Sequence, residues 1–355
     1  MKPTPPAQRD PRALRILFVI PGAFEGNSMI FARRQARSLR RLGARIGVFH
    51  LCSRTSPMRM AREWVRFRRR LRRFDPDVVH AHFGTMTGLF AAMAAGGRPL
   101  MVTYRGGDLN PASRSASFAE RARASLGHLL SQAAALGASR IVCVSRQLRQ
   151  RLWWRHSRVV ILPSGVDAEL FVPQPRAEAR RRLGWSDSER VILFNAGCDV
   201  PIKRLDLARD SAALAAAAIS ALRLRVLDGR TPPENVPMLM NAADCLLLTS
   251  DAEGSPTVVQ EALACNLPVV SVDAGDTAER LGGVERSMVV ARDRQAIARA
   301  LIDVLAVPGR SDGRKKVGEF SAHRVAGELY RIYAELARPR PGEAAVLAPA
   351  GERGR

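Results

Sequence analysis

Short apolar runs alternate with longer amphipathic segments from residue 15 onwards. Six runs rich in apolar and β-branched residues predict strands at 15–21, 44–51, 77–83, 99–106, 140–145 and 158–164. Five more predict strands at 190–197, 223–229, 244–250, 267–273 and 287–291. Strands that alternate with helical segments are typical of parallel sheets with crossover helices, so the pattern predicts an α/β protein with two doubly wound, Rossmann-like domains facing across a cleft.

The two series of strands are separated at 164–178 by a stretch rich in proline and turn residues, which predicts the linker. We expect a first domain at 12–165, which would hold the acceptor side, and a second at 166–320. A helix at 321–338 follows, and its return to the first domain is one option. The ends at 1–11 and 339–355 are rich in proline, glycine and charge, which predicts disordered tails.

The amino-acid composition indicates the class of protein. The chain has 355 residues, of which 46% are hydrophobic and 25% charged, as in an ordinary globular protein. No apolar stretch reaches the roughly 20 residues of a membrane span, and the run at 16–20 is too short for a signal peptide. Five scattered cysteines without a C-x-x-C pair argue against a disulfide framework or a zinc site. These features predict a cytoplasmic location.

The formal net charge of +23 raises the question of nucleic-acid binding, because arginine and lysine neutralise phosphates. Aromatic residues, however, make up only 5% of the chain, too few for base-stacking platforms. The basic residues are almost all arginine, a bias that genomic composition can also produce. We therefore expect no nucleic-acid partner.

The basic segment 58–74 predicts an amphipathic helix. Between residues 59 and 73 it carries eight arginines against Glu63 alone. One apolar stripe at helical spacing contains Met60, Trp64, Phe67, Leu71 and Phe74. Two interpretations stay open: an ordinary crossover helix packed on its sheet, or a face that docks the protein on the anionic inner face of the cytoplasmic membrane.

Two cofactor-binding motifs are missing from the sequence, which limits the classes of ligand that the protein is expected to bind. The dinucleotide fingerprint G-x-G-x-x-G does not follow the first strand, and G-x-x-x-x-G-K-[ST] does not occur. A tightly bound NAD or a P-loop ATP is therefore disfavoured, and we expect no cofactor.

The stretch "DAEGSPTVVQEALAC" at 251–265 offers an anion site instead. Ser255 is predicted to cap a helix at 256–265, whose first N–H groups, those of Thr257 and Val258, can meet a phosphate or diphosphate. Gly254 allows a ligand to approach the main chain closely.

Two glutamates flank this helix start. Glu253 precedes the helix and Glu261 lies one to two turns inside it, so both can face the cleft. A carboxylate suits paired sugar hydroxyls, because it accepts two hydrogen bonds. The alternative is a solvated loop residue and an exposed helix residue near the N-terminus.

The sequence "EGSPTVVQE" resembles a motif of the retaining glycosyltransferases of family 4, in which seven residues separate two glutamates. Members of that family have the GT-B fold. The stretches "LPSGVDAELFVP", "KRLDLA" and "LPVVSVDAGDTAERL" resemble that family's interdomain signature, its lysine loop and the strand that follows. The resemblance covers roughly residues 14–335. The sequence of the motif region is most similar to a subgroup that includes teichuronic acid glycosyltransferases.

The resemblance implies that Glu261 binds the ribose of a nucleoside diphosphate sugar, that Glu253 contacts its sugar, and that Lys203 neutralises the leaving diphosphate without a metal. A surface lysine is the alternative for Lys203. Cys198 stands near the place of the family's arginine, so Arg204 is expected to supply the second charge. The implied donor-binding set is Gly22, Lys203, Arg204, Glu253, Gly254, Ser255, Pro256, Thr257, Val258 and Glu261.

In the first half, the resemblance brings Gly22 close to the diphosphate; an ordinary turn glycine is the alternative. His80 and His82 share one strand face, and His82, nearer the cleft, has either an acceptor-site or a structural role. Arg105 stands where many relatives have histidine and cannot act as a base at neutral pH. Asp108 either orients the acceptor or caps the next segment. Glu253, Lys203, Arg105, Asp108 and His82 form the candidate catalytic set.

These features together predict a metal-independent, retaining glycosyltransferase that moves a sugar to a glycan or lipid-linked glycan in cell-surface polysaccharide synthesis. Transfer would occur on one face of the donor, with the leaving phosphate helping to deprotonate the acceptor. A nucleotide-sugar 2-epimerase of related fold and a non-catalytic sugar-nucleotide or glycan binding module are the alternatives.

Overall fold

The computed structural model describes residues 13–22, 29–113, 116–197 and 200–337. The predicted tails at 1–11 and 339–355, and Cys198, lie outside the described residues. The described chain forms two parallel sheets with crossover helices, which confirms the predicted fold class.

Six strands form the first sheet: β1 (Arg15–Pro21), β2 (Arg45–Leu51), β3 (Val78–His82), β4 (Leu100–Tyr104), β5 (Arg140–Cys143) and β6 (Val159–Ile161). They lie parallel in the order β2-β1-β3-β4-β5-β6. The second sheet contains β7 (Arg190–Asn195), β8 (Leu222–Leu227), β9 (Cys245–Leu248), β10 (Val269–Val272) and β11 (Met288–Val290), parallel in the order β11-β10-β9-β7-β8. The predicted strands are confirmed, and each observed strand begins within two residues of its predicted start.

Helices connect the strands. In the first half they are α1 (Ile30–Arg41), α2 (Pro57–Phe74), α3 (Thr85–Ala94), α4 (Phe118–Gly137) and α5 (Arg146–Gln150). The second half contains α6 (Arg176–Leu183), α7 (Val200–Lys203), α8 (Leu205–Ala216), α9 (Val236–Ala242), α10 (Thr257–Ala264), α11 (Thr277–Leu281), α12 (Arg294–Ala306), α13 (Val317–Phe320) and α14 (Ala322–Leu336). No helix among the described residues is both long and apolar enough to cross a bilayer.

Burial explains the apolar runs. Every residue of β3 and of β9 is buried, as expected for parallel strands that helices cover on both faces. The last helix, α14, packs its Leu329 and Tyr333 into the same core as Ile16 and Phe18 of β1. The end of the described chain therefore lies against the first sheet.

The chain crosses between the sheets twice, side by side. Val166 donates its N–H to Phe320 O at 3.0 Å, and Ala322 donates its N–H to Val166 O at 2.7 Å. These bonds join the linker to the entry of α14.

The strand order reverses beside β1 in the first sheet and beside β7 in the second. In doubly wound sheets, ligands bind at such points, outside the carboxyl ends of the strands. Gly22 follows β1 and His82 ends β3, whereas Lys203 follows β7 and Glu253 follows β9. The fold thus places the predicted residues at two switch points.

Helix α2 departs from the predicted stripe. Phe67 and Leu71 are buried as expected, but Trp64 is 38% exposed. Glu63 takes the inward position, four residues before Phe67, and pairs with Arg66 at 2.7 Å. Trp64 follows Glu63 by one helical step of 100°, so the inward position of Glu63 moves Trp64 to the margin of the core. There Trp64 packs edgewise on Phe90.

Candidate active site

The chain leaves β9 and enters α10 through the loop 249–256. Helix α10 begins at Thr257, with Pro256 as its cap residue and no side-chain cap bond. The predicted cap, Ser255, is wrong: its hydroxyl donates to Asp276 Oδ2 at 2.8 Å. A buried hydroxyl gains more from a carboxylate than from a main-chain amide, because hydrogen bonds to ionised groups are the stronger ones.

Glu253, in this loop, pairs with Lys203 at the end of α7. Lys203 Nζ lies 2.6 Å from Glu253 Oε1, which also accepts the Ser250 hydroxyl at 2.7 Å. Both charged side chains are largely shielded, with 23% and 12% of their surfaces exposed. The pair therefore interacts strongly, and either charge alone would be costly to leave in this setting.

Glu261, one turn into α10, is compensated from the opposite half of the chain. Arg34 of α1 donates to Glu261 Oε1 at 2.8 Å, and its guanidinium lies 5.7 Å from the ring centroid of Phe171. Burial raises the pKa of Glu261, and Arg34 opposes that shift. The α1–α10 ion pair thus bridges the first sheet's helices and the second's.

Arg204, beside Lys203, is held by carboxylates. It lies 2.8 Å from Asp206 and 3.3 Å from Asp251, and its bonds to these groups, to Asp206 first, raise the pKa of its guanidinium. Arg292, after β11, donates to Ser250 O at 2.8 Å on the other side of the same loop. Asp251, which also lies 4.0 Å from Arg292 Nε, therefore faces both cations beside the Glu253 loop.

Gly254 contacts the first half through its main chain. A Cβ at Gly254 would lie 1.8 Å from Arg105 O, and a Cβ at Gly106 would lie 3.0 Å from Gly254 N. Asn110 Nδ2 donates to Glu253 O at 2.9 Å in the same contact. The close approach that glycine permits here is that of the Arg105 carbonyl group, and a donor-binding role for Gly254 stays a prediction.

On β3, the two histidines share one face as predicted, with ring centroids 4.0 Å apart. His80 lies deep, bonded to Tyr333 Oη at 2.6 Å and to Thr103 Oγ1 at 2.7 Å. His82 Nδ1 lies 3.1 Å from Arg105 Nη2 and accepts from it, since a guanidinium only donates. Burial lowers the pKa of both histidines, which are therefore neutral at pH 7.

Arg105 follows β4 and lies between the halves. It donates to Ser164 Oγ at 2.9 Å, and its guanidinium carbon lies 3.8 Å from the centroid of the Phe31 ring. Burial lowers its pKa to about 9, so it remains a cation at neutral pH. Arg105 thus supplies a fixed positive charge beside His82.

Asp108 shapes the turn after β4. Its carboxylate accepts the main-chain N–H groups of Gly84 at 3.0 Å, Arg105 at 3.0 Å and Gly106 at 2.8 Å. Burial raises its pKa, and these N–H groups oppose the shift. All three N–H groups precede Asp108 in the chain, so its carboxylate closes the turn after β4, and both predicted roles, orienting the acceptor and capping the next segment, stay predictions.

Gly22 adopts φ +90°, a conformation that side-chain-bearing residues rarely adopt. Its N–H donates to Leu51 O at 3.1 Å, which ends the β1–β2 ladder. Among the described residues, no atom lies within 4 Å of the place of a Cβ. Residues 23–28 of the "PGAFEGN" turn lie outside the described residues.

The site contains residues that sequence reasoning missed: Arg34, Asn110, Asp251 and Arg292. Arg34 stands in a helix with four other arginines, so its charge alone could not single it out. Asp251 and Arg292, by contrast, directly follow predicted strands, where site residues are expected. Their position directly after a strand was the feature of the sequence that could have identified them as site residues.

The arrangement suits a phosphorylated ligand. The N–H groups of Thr257 and Val258 lie in the first turn of α10, where helical amides have no intrahelical acceptor. Lys203 adds a cation beside Glu253. Within the described ranges, no three His, Cys, Asp or Glu side chains gather as a metal site would require.

Known proteins match both halves of the chain. The model of Glycosyltransferase Family 4 matches residues 24–170, and the model of Glycosyl transferases group 1 matches residues 203–306. The putative teichuronic acid biosynthesis glycosyltransferase TuaC of Bacillus subtilis is 28% identical over 247 residues, which cover 64% of this chain and 60% of that protein. The chain thus spans less than two thirds of the length of this curated relative.

Solved structures agree in fold. Sucrose-phosphate synthase from Thermosynechococcus elongatus has a TM-score of 0.73 at 16% identity, covering 91% of this chain and 99% of that one. Anabaena Alr3699/HepE in complex with UDP and glucose has a TM-score of 0.66 at 16% identity, covering 91% and 100%. The two family models, which between them match both halves, show that the chain belongs to the family 4 glycosyltransferases, and the likeness to solved structures shows the GT-B fold.

Proposed function

We propose that the protein is a retaining glycosyltransferase that moves a sugar from a nucleoside diphosphate sugar to a glycan or lipid-linked glycan. The observation that carries the proposal is the Lys203–Glu253 ion pair directly before α10, the helix that contains Glu261, at the switch point of the second sheet. The family membership and the name of its relative, a teichuronic acid biosynthesis glycosyltransferase, support transfer in cell-surface polysaccharide synthesis.

Donor binding uses the second half. Glu261 accepts the ribose hydroxyls, and the N–H groups of Thr257 and Val258 meet the diphosphate. Because Arg34 holds Glu261 at 2.8 Å, the donor's ribose exchanges with or joins this ion pair. Binding therefore couples to the contact between α1 and α10.

Charge on the leaving diphosphate is met by Lys203 and helix amides rather than by a metal ion. A fixed cation and oriented N–H groups stabilise such a charge without reorganising in the transition state. Ion pairing with Glu253 at 2.6 Å sets the position of Lys203 before the donor arrives. Glu253 thereby positions Lys203 and lies where the donor sugar is expected.

The transfer breaks the bond between the sugar's anomeric carbon and the diphosphate oxygen and forms the glycosidic bond on the same face. The acceptor's proton goes to a leaving phosphate oxygen. Arg105 is cationic at neutral pH and Asp108 is engaged by three main-chain N–H groups, so neither acts as the base. Their role is to shape the acceptor side beside His82.

In the proposed location, helix α2 docks the protein on the inner face of the cytoplasmic membrane. Arg69, Arg72 and Arg73 are exposed on this helix. Exposed apolar side chains accompany them: Met58 at 74% and Val65 at 48%. Basic and apolar side chains on one exposed surface are the features that bind anionic leaflets.

The test is product analysis. The protein is incubated with a panel of nucleoside diphosphate sugars, with and without lipid-linked and free glycan acceptors, and products are identified by mass spectrometry and anomeric NMR. A new α- or β-linked product that keeps the donor's anomeric configuration supports the proposal. A new nucleotide sugar made without acceptor would identify an epimerase instead, and donor binding without turnover would identify a binding module.

A further inference from the structure

A cavity of about 990 Å³ opens on the first half, between the loop after β4, the start of α4 and the end of α5. Its walls combine apolar and cationic side chains. We call it the α4 groove and define it by Leu109, Pro111, Arg121, Leu129, Arg151 and Trp153. A cavity of this size whose walls combine apolar surface with polar groups is typical of sites for small ligands.

The α4 groove borders the Glu253 loop through its wall. Asn110, in its wall, donates from Nδ2 to Glu253 O at 2.9 Å and accepts a hydrogen bond from Arg151 at Oδ1. Ser113, further along the wall, donates to Asp251 Oδ2 at 2.7 Å. One layer of side chains, those of Asn110 and Ser113, therefore separates the groove from the loop that holds Glu253.

A buried amide holds the main chain of the groove's wall and the His128 ring. Gln132 is 1% exposed, and its Nε2 donates to Arg151 O at 2.9 Å and to His128 Nε2 at 3.0 Å. Its Oε1 accepts the N–H of Trp153 at 3.0 Å. A satisfied buried network of this kind holds the surrounding chain in one geometry, as a preformed site requires.

The exposed surface of the groove is unusual for its composition. Trp153 is 56% exposed and Leu129 52% exposed, although large apolar side chains are normally withdrawn from water. An indole ring packs well against the C–H face of a sugar ring, because both surfaces are flat and apolar. Arg121 and Arg151 supply the planar donors that match phosphate oxygens.

We propose that the α4 groove is the acceptor subsite and that it takes a phosphorylated glycoside. One sugar ring lies on Trp153 and Leu129, and the phosphate or diphosphate lies against Arg121 and Arg151. The inference rests on the proposed glycosyl transfer, since the donor occupies the α10 side and the acceptor must reach it from the first half. The phosphate is that of a lipid-linked sugar or of a free sugar phosphate.

Binding of three probes tests the proposal: a glucosyl geranyl diphosphate, glucose 1-phosphate and the uncharged octyl glucoside. Tryptophan fluorescence and calorimetry report binding to the parent. Both phosphorylated probes should bind, and octyl glucoside should bind about tenfold more weakly, the loss of one hydrogen bond to a charged group. Preference for the geranyl probe over glucose 1-phosphate identifies the lipid-linked source, and equal binding identifies the free sugar phosphate.

Matched variants locate the probes. Leu129→Ala and Arg121→Ala should each weaken the phosphorylated probes about tenfold, whereas Leu126→Ala and Arg123→Ala, exposed on the same helix outside the groove, should not. Trp153→Ala should act like Leu129→Ala. UDP affinity, measured by calorimetry, should stay at the parent's value in all of them.

Two failures are distinguishable. If the parent binds UDP and transfers sugar but the groove variants bind the probes like the parent, or octyl glucoside binds as tightly as its phosphorylated counterparts, the groove proposal is wrong and glycosyl transfer stands. If the parent neither binds a nucleoside diphosphate nor turns over any donor, the proposed function itself fails.

Discussion

At the scale of single residues, the site is defined by carboxylates whose partners are cations of the same chain. Glu253 pairs with Lys203 at 2.6 Å and Glu261 with Arg34 at 2.8 Å. The two glutamates could be identified from their spacing, because a motif of that form resembles a known family. Their partners could not, since the chain offers 56 lysines and arginines and proximity in space has no mark in the sequence.

The two glutamates should have separable effects. Glu261→Ala should weaken nucleoside diphosphate binding by about 1.5 to 3 kcal/mol, the contribution of a hydrogen bond to a charged group. Glu253→Ala should chiefly lower turnover, because it releases Lys203. Calorimetry with a nucleotide panel and steady-state kinetics separate the two, with Glu319→Ala, an exposed residue of α13, as the control. Parent-like affinity in Glu261→Ala would remove this residue from the donor site.

The Glu261 carboxylate should also lower the free energy of unfolding at neutral pH. Burial raises its pKa above the unfolded value, so its stabilising contribution is present below the unfolded pKa of roughly 4.3 and is lost as pH rises through the folded pKa. Glu261→Gln removes this titration. Thermal unfolding should show the variant more stable than the parent at pH 7 and close to it near pH 4, whereas the exposed Glu234→Gln should show no such difference. A glutamine variant that is less stable at pH 7 contradicts this account.

Lys203 should be needed for chemistry, whereas a divalent metal should not. Removing a fixed charge at a developing anion costs about 10²- to 10³-fold in kcat. Lys203→Ala should lose that much in a single-turnover assay, whereas Lys315→Ala, an exposed lysine of the turn before α13, should not. Parent activity should persist in EDTA, and a strict requirement for added Mg²⁺ or Mn²⁺ would show that the charge assignment is wrong.

At the scale of elements, the strands and helices were predicted mostly from the spacing of the apolar residues. The strands followed from continuous apolar runs, which parallel sheets require because helices cover both faces. Helix ends were harder: Ser255 fits the preference for a cap, but Asp276, 21 residues away, takes its hydroxyl. The stripe on α2 was misassigned at Trp64 because Glu63 is buried, and which side chains of a helix face the core depends on tertiary packing.

Helix α2 gives the prediction at this scale. Arg69, Arg72 and Arg73 are exposed, whereas Arg68 donates to Ala94 O at 3.4 Å and is left unchanged. Replacing the three exposed arginines by glutamate should abolish sedimentation with anionic vesicles, since each basic residue contributes about 1 kcal/mol near an anionic surface.

The control is a variant with the same change of net charge in the second half, Arg209, Arg294 and Arg299 to glutamate. It should still bind anionic vesicles, and the parent should lose binding with added salt. Equal sedimentation of both variants would mean that net charge, or another surface, makes the contact.

At the scale of the whole molecule, the two halves meet through side-chain hydrogen bonds at the site itself. Asn110 donates to Glu253 O, Ser113 to Asp251, and Arg34 to Glu261, and each bond joins the first half to the second. Sequence patterns predicted two domains and a cleft, but they could not predict how closely the two sides approach, because those contacts join residues more than 130 positions apart.

Gly254 should control that approach. A Cβ there would lie 1.8 Å from Arg105 O, a distance that forces the two halves apart. Gly254→Ala keeps the N–H group, so nucleotide affinity should remain near the parent's while kcat falls, because the acceptor side no longer meets the donor. Small-angle scattering should show a larger radius of gyration. The matched Gly327→Ala, on the exposed face of α14 with nothing within 4 Å of its Cβ, should change neither quantity. If Gly254→Ala turns over like the parent at an unchanged radius of gyration, the contact between Gly254 and Arg105 does not limit catalysis, and the halves work at a wider separation than the one described.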